Sequence, residues 1–193
     1  MKQFTRSKQI LFSIGQLGWS LLSGLITSYF VSFYQPSSVH GIPYFIPQAA
    51  ILGILPIIGF MAAFGRLFDA VTDPLIATWS DKSKHKNGRR IPFLLYSACP
   101  LAVSTFFVFY TPVNGTSYLN ALWVFIMLMV YYLTITAYVT PYNALIPEFG
   151  KTQEDRLNIS SFISLTYIAG FTIAFLAPML WDILVKQGID KVL

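Results

Sequence analysis

The chain has 193 residues, of which 55% are hydrophobic and only 11% charged. Soluble domains carry roughly 25% charged residues, and disordered chains more charge and less apolar surface, so both classes are excluded. A single cysteine, Cys99, and two histidines, His40 and His85, exclude a disulfide scaffold and a multi-cysteine or His-rich metal centre.

Five apolar stretches follow one another, at about 9–34, 44–80, 91–110, 120–146 and 157–180. Each reaches the roughly 20 residues that a membrane span needs. Each is apolar all round, whereas a surface helix of a soluble protein has one polar face. The fold class expected is therefore an all-α membrane protein. The start, with Lys2, Arg6 and Lys8 ahead of an apolar run, resembles a secretory leader. Its run is too long and has no small-x-small cleavage site, so it is read as a retained first span. Turn-rich breaks fall at 35–38 and 111–115. Pro56, Pro74, Pro100 and Pro141 lie inside apolar stretches and predict kinks of the sort membrane helices tolerate.

Basic residues alternate with the loops. Lys2, Arg6, Lys8, Lys82, Lys84, Lys86, Arg89, Arg90, Lys151 and Arg156 fall on one side of the bilayer, and Lys186 and Lys191 on the other. The positive-inside rule then predicts a cytoplasmic N-terminus and an external C-terminus. The net charge of +5 is mostly this orientation signal, so a nucleic-acid partner is not expected.

Three charges depart from the pattern. Arg66, Asp69 and Asp73 sit inside the second stretch at i, i+3 and i, i+4 spacing, on one helical stripe. With Asp81 at the boundary, a rise of about 1.5 Å per residue places Asp73 about 12 Å deep, Asp69 about 18 Å and Arg66 about 22 Å. An acid at the helix centre costs about 2.5–3.5 kcal/mol on insertion scales. Gly59, Ala62 and Ala77 lie on the same stripe and allow a neighbouring helix to approach closely. The stripe therefore faces the bundle interior or a watery cavity. One reading is a helix-locking Arg66–Asp69 ion pair. The other is a cation or proton site on Asp69 and Asp73, with Arg66 as charge partner. A hard cation needs several oxygens, and a proton needs one carboxyl able to take it up.

The run Arg66-Leu67-Phe68-Asp69-Ala70-Val71-Thr72-Asp73-Pro74, then Ser80-Asp81-Lys82 and Gly88-Arg89-Arg90-Ile91-Pro92, resembles the glycoside–pentoside–hexuronide:cation symporters. These are the melibiose-permease-like branch of the major facilitator superfamily. A second block agrees: Pro141-Tyr142-Asn143-Ala144-Leu145-Ile146-Pro147-Glu148, then Glu154-Asp155-Arg156. The resemblance covers essentially the whole chain as the N-terminal half of such a transporter. It implies two six-helix bundles around a substrate cavity, of which 1–193 would hold five helices of the first, with the sixth helix and the C-terminal bundle missing and the chain inactive alone. It implies that Asp69 and Asp73 bind the coupling cation, Na⁺ or H⁺, and that no other cofactor is used. It implies a cytoplasmic gate network of Asp81, Arg89, Arg90, Glu148 and Arg156. Val139 stands where melibiose-type members carry a further acid, Ser20 beside Trp19 where they carry a sugar-binding acid, an apolar residue near Ile163 where they carry an arginine, and Ala77 where they carry a small glycine.

The expectation is a cation-coupled sugar or glycoside symporter, not an enzyme, in a bacterial inner membrane, with Thr136 completing any Na⁺ site. Trp19, Ser20, Tyr138, Tyr142 and Asn143 are the candidate substrate contacts. Trp79, Trp123 and Trp181 are expected in interfacial belts. The alternatives are a carrier of a lipid or other non-sugar solute, and a membrane structural subunit without transport. No nucleophile–base pair can be read from the sequence.

Overall fold

The computed structural model describes residues 5–36, 44–51, 55–86 and 88–179. The expectations placed on Lys2, His40, Leu180, Trp181, Lys186 and Lys191 lie outside the described residues. Among the described residues the long helices are α1 (Arg6–Tyr34), α2 (Ile57–Lys82), α3 (Ile91–Val108), α4 (Tyr118–Phe149) and α5 (Gln153–Phe175). A two-residue antiparallel ladder precedes α2, pairing β1 (Ala50–Ile51) with β2 (Leu55–Pro56).

The second helix starts later than hydropathy suggests, at Ile57 and not near residue 44. Hydropathy cannot separate an apolar helix from an apolar extended segment, but proline can. Pro56 occupies the N-cap with φ −58° and ψ 148°. Proline also pushes the residue before it out of the helical region, so a helix cannot run through this point without strain. The other ends shift by a few residues for local reasons. Thr152 opens α5 with a capping box: its hydroxyl accepts from the Asp155 N–H, and the Asp155 carboxylate accepts from the Thr152 N–H. Ser117 caps α4 by accepting from the Leu119 N–H at 3.1 Å. The fourth helix runs past Pro147 and ends where the Gly150 N–H meets the Ile146 carbonyl at 2.9 Å.

Among the described helices, α1, α3, α4 and α5 are long and apolar enough to cross a membrane by length and composition. The charged stripe Arg66, Asp69 and Asp73 sets α2 apart from them. Large apolar side chains stand outward along the helices, among them Leu11, Phe106, Leu119 and Leu165. In water such a surface would aggregate, and in lipid it is the solvated face.

The described parts of Met1–Ser28 and Thr152–Leu193 form one compact unit, and Tyr29–Lys151 forms a second. In the first unit α1 and α5 run parallel. The contacts climb both helices together, from Gln9 and Asp155 at 3.4 Å, through the Thr166 hydroxyl donating to the Ser13 carbonyl at 2.9 Å, to Gly24 beside Ala174. A Cβ on Gly170 would collide with the Ser20 hydroxyl and come within 2.8 Å of the Leu17 carbonyl, so the two backbones meet only because residue 170 has no side chain.

In the second unit α3 and α4 form an antiparallel hairpin, tied by the Trp123 indole N–H to the Phe107 carbonyl at 3.1 Å. Its loop end is knotted by Asn120, which is fully buried. The Asn120 amide donates to the carbonyls of Phe45, Val113 and Gly115 at 3.0, 2.8 and 3.0 Å and accepts from the Val113 N–H at 3.0 Å. Tyr34 closes the same region by donating to the Val108 carbonyl at 2.5 Å.

Candidate functional site

The site is built on the seam between α2 and α4, which run parallel. Gly65 makes the seam possible, because a Cβ there would enter the Tyr132 ring. One turn further the Thr136 hydroxyl donates to Asp69 Oδ1 at 2.6 Å, and a turn beyond that the Thr140 hydroxyl faces Asp73 Oδ1 at 3.4 Å. Both pairs are separated by 67 residues, as are Gly65 and Tyr132. The same register reaches the helix ends, where Asp81 and Glu148 are held by one guanidinium. A four-residue step on each helix keeps successive rungs on nearly the same face.

The lower end of the ladder is an ionic clamp. Arg90 donates from Nη2 to Asp81 Oδ1 at 2.6 Å and from Nη1 to Glu148 Oε1 at 2.9 Å, and Nη1 also meets the Ala144 carbonyl. Arg89 reaches the same Glu148 oxygen at 2.9 Å. The Arg90 side chain is only 12% exposed, against 57% for Arg89. Arg90 is also the N-cap residue of α3, so the short loop after α2 delivers the guanidinium to the ends of both other helices.

The structure thus brings together Asp69 with Thr136, and Asp81 with Arg89, Arg90 and Glu148. It does not bring Arg66 into contact with the acids: no ion pair within 4 Å joins Arg66 to Asp69 or Asp73, and Arg66 is exposed. The physical reason is the seam itself, since Asp69 turns to a hydroxyl on α4 and leaves Arg66 to act through its field alone. Arg156 lies in the first turn of α5, exposed, in the other compact unit.

The substrate candidates divide. In the first unit Ser20 is fully buried against Gly170, and its hydroxyl donates to the Leu17 carbonyl at 3.0 Å. That is a packing position, a correction to the expected contact, and it arises because the close α1–α5 approach falls at this residue. Trp19 is half-buried with its ring 5.7 Å from that of Tyr167. The Trp19 indole N–H and the Gln16 amide oxygen, one turn apart, are buried without a hydrogen-bond partner among the described residues. In the second unit Tyr138 and Tyr142 stack, with centroids 6.0 Å apart and planes 15° apart. Tyr142 is buried, Tyr138 half-buried and Asn143 exposed.

Sequence reasoning passed over Thr140, Gln16 and the Ala144 carbonyl. A threonine in a membrane helix carries no anomaly of its own. The i, i+4 spacing of Thr136 and Thr140, equal to that of Asp69 and Asp73, is the signal that points to it.

Long apolar helices, with a seam of paired acids and hydroxyls between α2 and α4, mark a helical integral membrane protein. The chain belongs to the MFS/sugar transport protein family, whose model matches residues 11–191. It is 28% identical over 162 residues to an uncharacterized symporter of Synechocystis, covering 80% of this chain and 27% of that protein. It is 25% identical to the isoprimeverose transporter of Lactiplantibacillus pentosus, over 86% of this chain and 32% of that one. It is 30% identical to the sodium-dependent lysophosphatidylcholine symporter 1 of Xenopus tropicalis, over 58% of this chain and 22% of that one. The chain therefore spans a third or less of the length of these curated relatives.

Proposed function

We propose that this chain carries the cation site of a secondary transporter that couples Na⁺ or H⁺ entry to uptake of a sugar or glycoside. The observation that carries the reading is the pairing of Asp69 with Thr136 and of Asp73 with Thr140 across α2 and α4, inside an otherwise apolar bundle. Carboxylates at this depth persist only with a reason, and ion pathways are the usual one. The relative named as a symporter supports the coupling, and the one named as an isoprimeverose transporter supports the sugar class.

In this reading Asp69, Asp73 and Thr136 hold the ion, and its binding favours substrate. Tyr138 and Asn143 contribute to the substrate surface. The two halves of the complete transporter then rock to alternate access. The Asp81, Arg89, Arg90 and Glu148 clamp forms the cytoplasmic gate, closed by ion pairs in one state and released in the other. All five helices cross the membrane, the N-terminus is cytoplasmic, and the remainder of the first bundle and the second bundle lie in further sequence. Residues 1–193 alone do not transport.

The test is ion-gradient-driven uptake by the complete transporter in proteoliposomes. Asp73→Asn and Asp69→Asn are expected to abolish the dependence on Na⁺ or proton gradient while leaving the protein folded. Unimpaired coupling in Asp73→Asn would overturn the role of that acid. A second reading, a lysolipid or other non-sugar solute, is favoured by the relative named for lysophosphatidylcholine. A panel of sugars and lysolipids in a thermal-shift assay separates the two by which class stabilises the protein.

A further inference from the structure

We infer that the groove between α2, α3 and α4 binds an anionic phospholipid, with an acyl chain in the groove and the headgroup on the lysines of the α2–α3 loop. Among the described residues, no rung of the α2–α4 ladder lines this groove, so the inference stands apart from the cation site.

The groove has a volume of about 420 Å³, within the range of small-molecule sites. Ile76 and Trp79 of α2, Tyr96 and Pro100 of α3, and Leu133 and Ala137 of α4 line it. The hydroxyls along it are turned to their own helices. Ser97 donates to the Phe93 carbonyl at 2.5 Å, and Thr134 donates to the Val130 carbonyl at 2.8 Å. Hydroxyls satisfied in this way leave an apolar wall, so the groove suits hydrocarbon and offers a sugar no partner. It follows α3 from Pro92 to Pro100, about 12 Å at the helical rise, along the helix axis as an acyl chain would lie in a bilayer. Trp79 and Tyr96 line it and are exposed, and such residues settle at headgroup level.

Charge selects the lipid. Lys82 follows Trp79 by three residues, so it stands on the same face of α2, at the loop end of the groove. Lys84 and Lys86 come next, in the loop before α3. The acids of this unit at that end, Asp81 and Glu148, are held by Arg89 and Arg90. The first turn of α3 has no acid. Lys82, Lys84 and Lys86 are exposed, and no ion pair within 4 Å joins them to a described acid. Basic clusters beside a membrane helix attract anionic headgroups, each lysine adding several-fold in affinity. A zwitterionic lipid would fill the groove as well but gain nothing from the lysines.

The test reconstitutes the complete transporter in phosphatidylcholine vesicles containing increasing amounts of phosphatidylglycerol with brominated acyl chains, which quench tryptophan on contact. A parallel series uses brominated phosphatidylcholine. The Trp79 signal is the difference from Trp79→Phe. Phosphatidylglycerol is expected to bind at Trp79 about fivefold or more tightly than phosphatidylcholine. Lys82→Gln, Lys84→Gln and Lys86→Gln combined are expected to bring the two lipids within about twofold of each other. Ala137→Phe narrows the groove and is expected to reduce quenching of Trp79 by either lipid while the other tryptophans are quenched as before. Ala137→Leu, a smaller change, is expected to do so in part. Equal melting temperatures in pure phosphatidylcholine show that the lysine variant is folded. Equal binding of the two lipids by wild type would make the groove an ordinary stretch of lipid-facing surface and overturn the inference. A preference that survives loss of the three lysines overturns it too, as does unchanged Trp79 quenching in both Ala137 variants.

Discussion

Single side chains in this protein divide into those whose charge is tied down and those left in water. Arg90 is the clearest of the first kind, with two acids and a carbonyl around one nearly buried guanidinium. Its planar fork offers five donors in a fixed geometry, against the three of a lysine ammonium. Hydrogen bonds to charged groups contribute about 1.5–3 kcal/mol, whereas exposed pairs contribute roughly 0–1 kcal/mol. Arg90→Gln is therefore expected to destabilise the folded protein by about 2 kcal/mol or more, and Arg89→Gln by less than about 1 kcal/mol. Thermal unfolding of the two variants side by side checks the order, and an equal loss would refute it. Asn120 presents the same logic without charge. Replacing it by leucine strands three carbonyls and one N–H that it now satisfies. Each buried orphan costs about 1–3 kcal/mol, so Asn120→Leu is expected to impair folding more than any exposed substitution on α4. Protein yield and melting temperature after membrane expression measure it.

Between helices, register decides which side chains meet. The α2–α4 seam depends on the missing side chain at Gly65, because the Tyr132 ring fills the space that a Cβ would take. Overpacking a tight contact costs about 1–3 kcal/mol. Gly65→Ala is expected to lose stability by that amount and to weaken cation binding, since the rungs at Asp69 and Asp73 lie one and two turns along the same seam. Shrinking the ring with Tyr132→Ala should recover much of the loss. Contacting residues show coupling of about 0.5–3 kcal/mol in a double-mutant cycle, and additive effects would mean that the two do not set the seam. Pro74 sits directly after Asp73 and denies the Ala70 carbonyl its helical N–H. The backbone beside the second rung is thus less rigidly tied than beside the first.

Orientation belongs to the chain taken together. The basic residues from Lys82 to Arg90 and the uncharged turn at 111–115 should lie on opposite sides of the membrane. Cys99 is the single cysteine and must be replaced by serine before labelling. In that background a cysteine at Lys84 is expected to react with an impermeant maleimide only from the cytoplasmic side, and one at Asn114 only from outside. Reaction of both from one face would overturn the topology.

Much of this was legible in residue order because hydropathy and charge are properties of single residues. Four apolar spans, the loop charges and the anomaly of Asp69 and Asp73 needed nothing more. The start of α2 lies later than the sequence suggests because the apolar residues ahead of it, among them Pro47 and Pro56, have helix-like hydropathy but stand outside the helix. Arg66 is placed on the stripe of the acids by spacing along one helix, and the hydrogen-bond partner of Asp69 is a hydroxyl 67 residues away that such spacing does not show. Ser20 looked like a substrate contact until Gly170 was seen to cover it. Thr140 carried no signal alone, since its meaning comes from standing opposite Asp73. Composition therefore determines that this chain enters a membrane and which of its charges are out of place. Which oxygens those charges meet is decided by close packing, where Gly65 admits Tyr132 and so sets the register of every rung that follows.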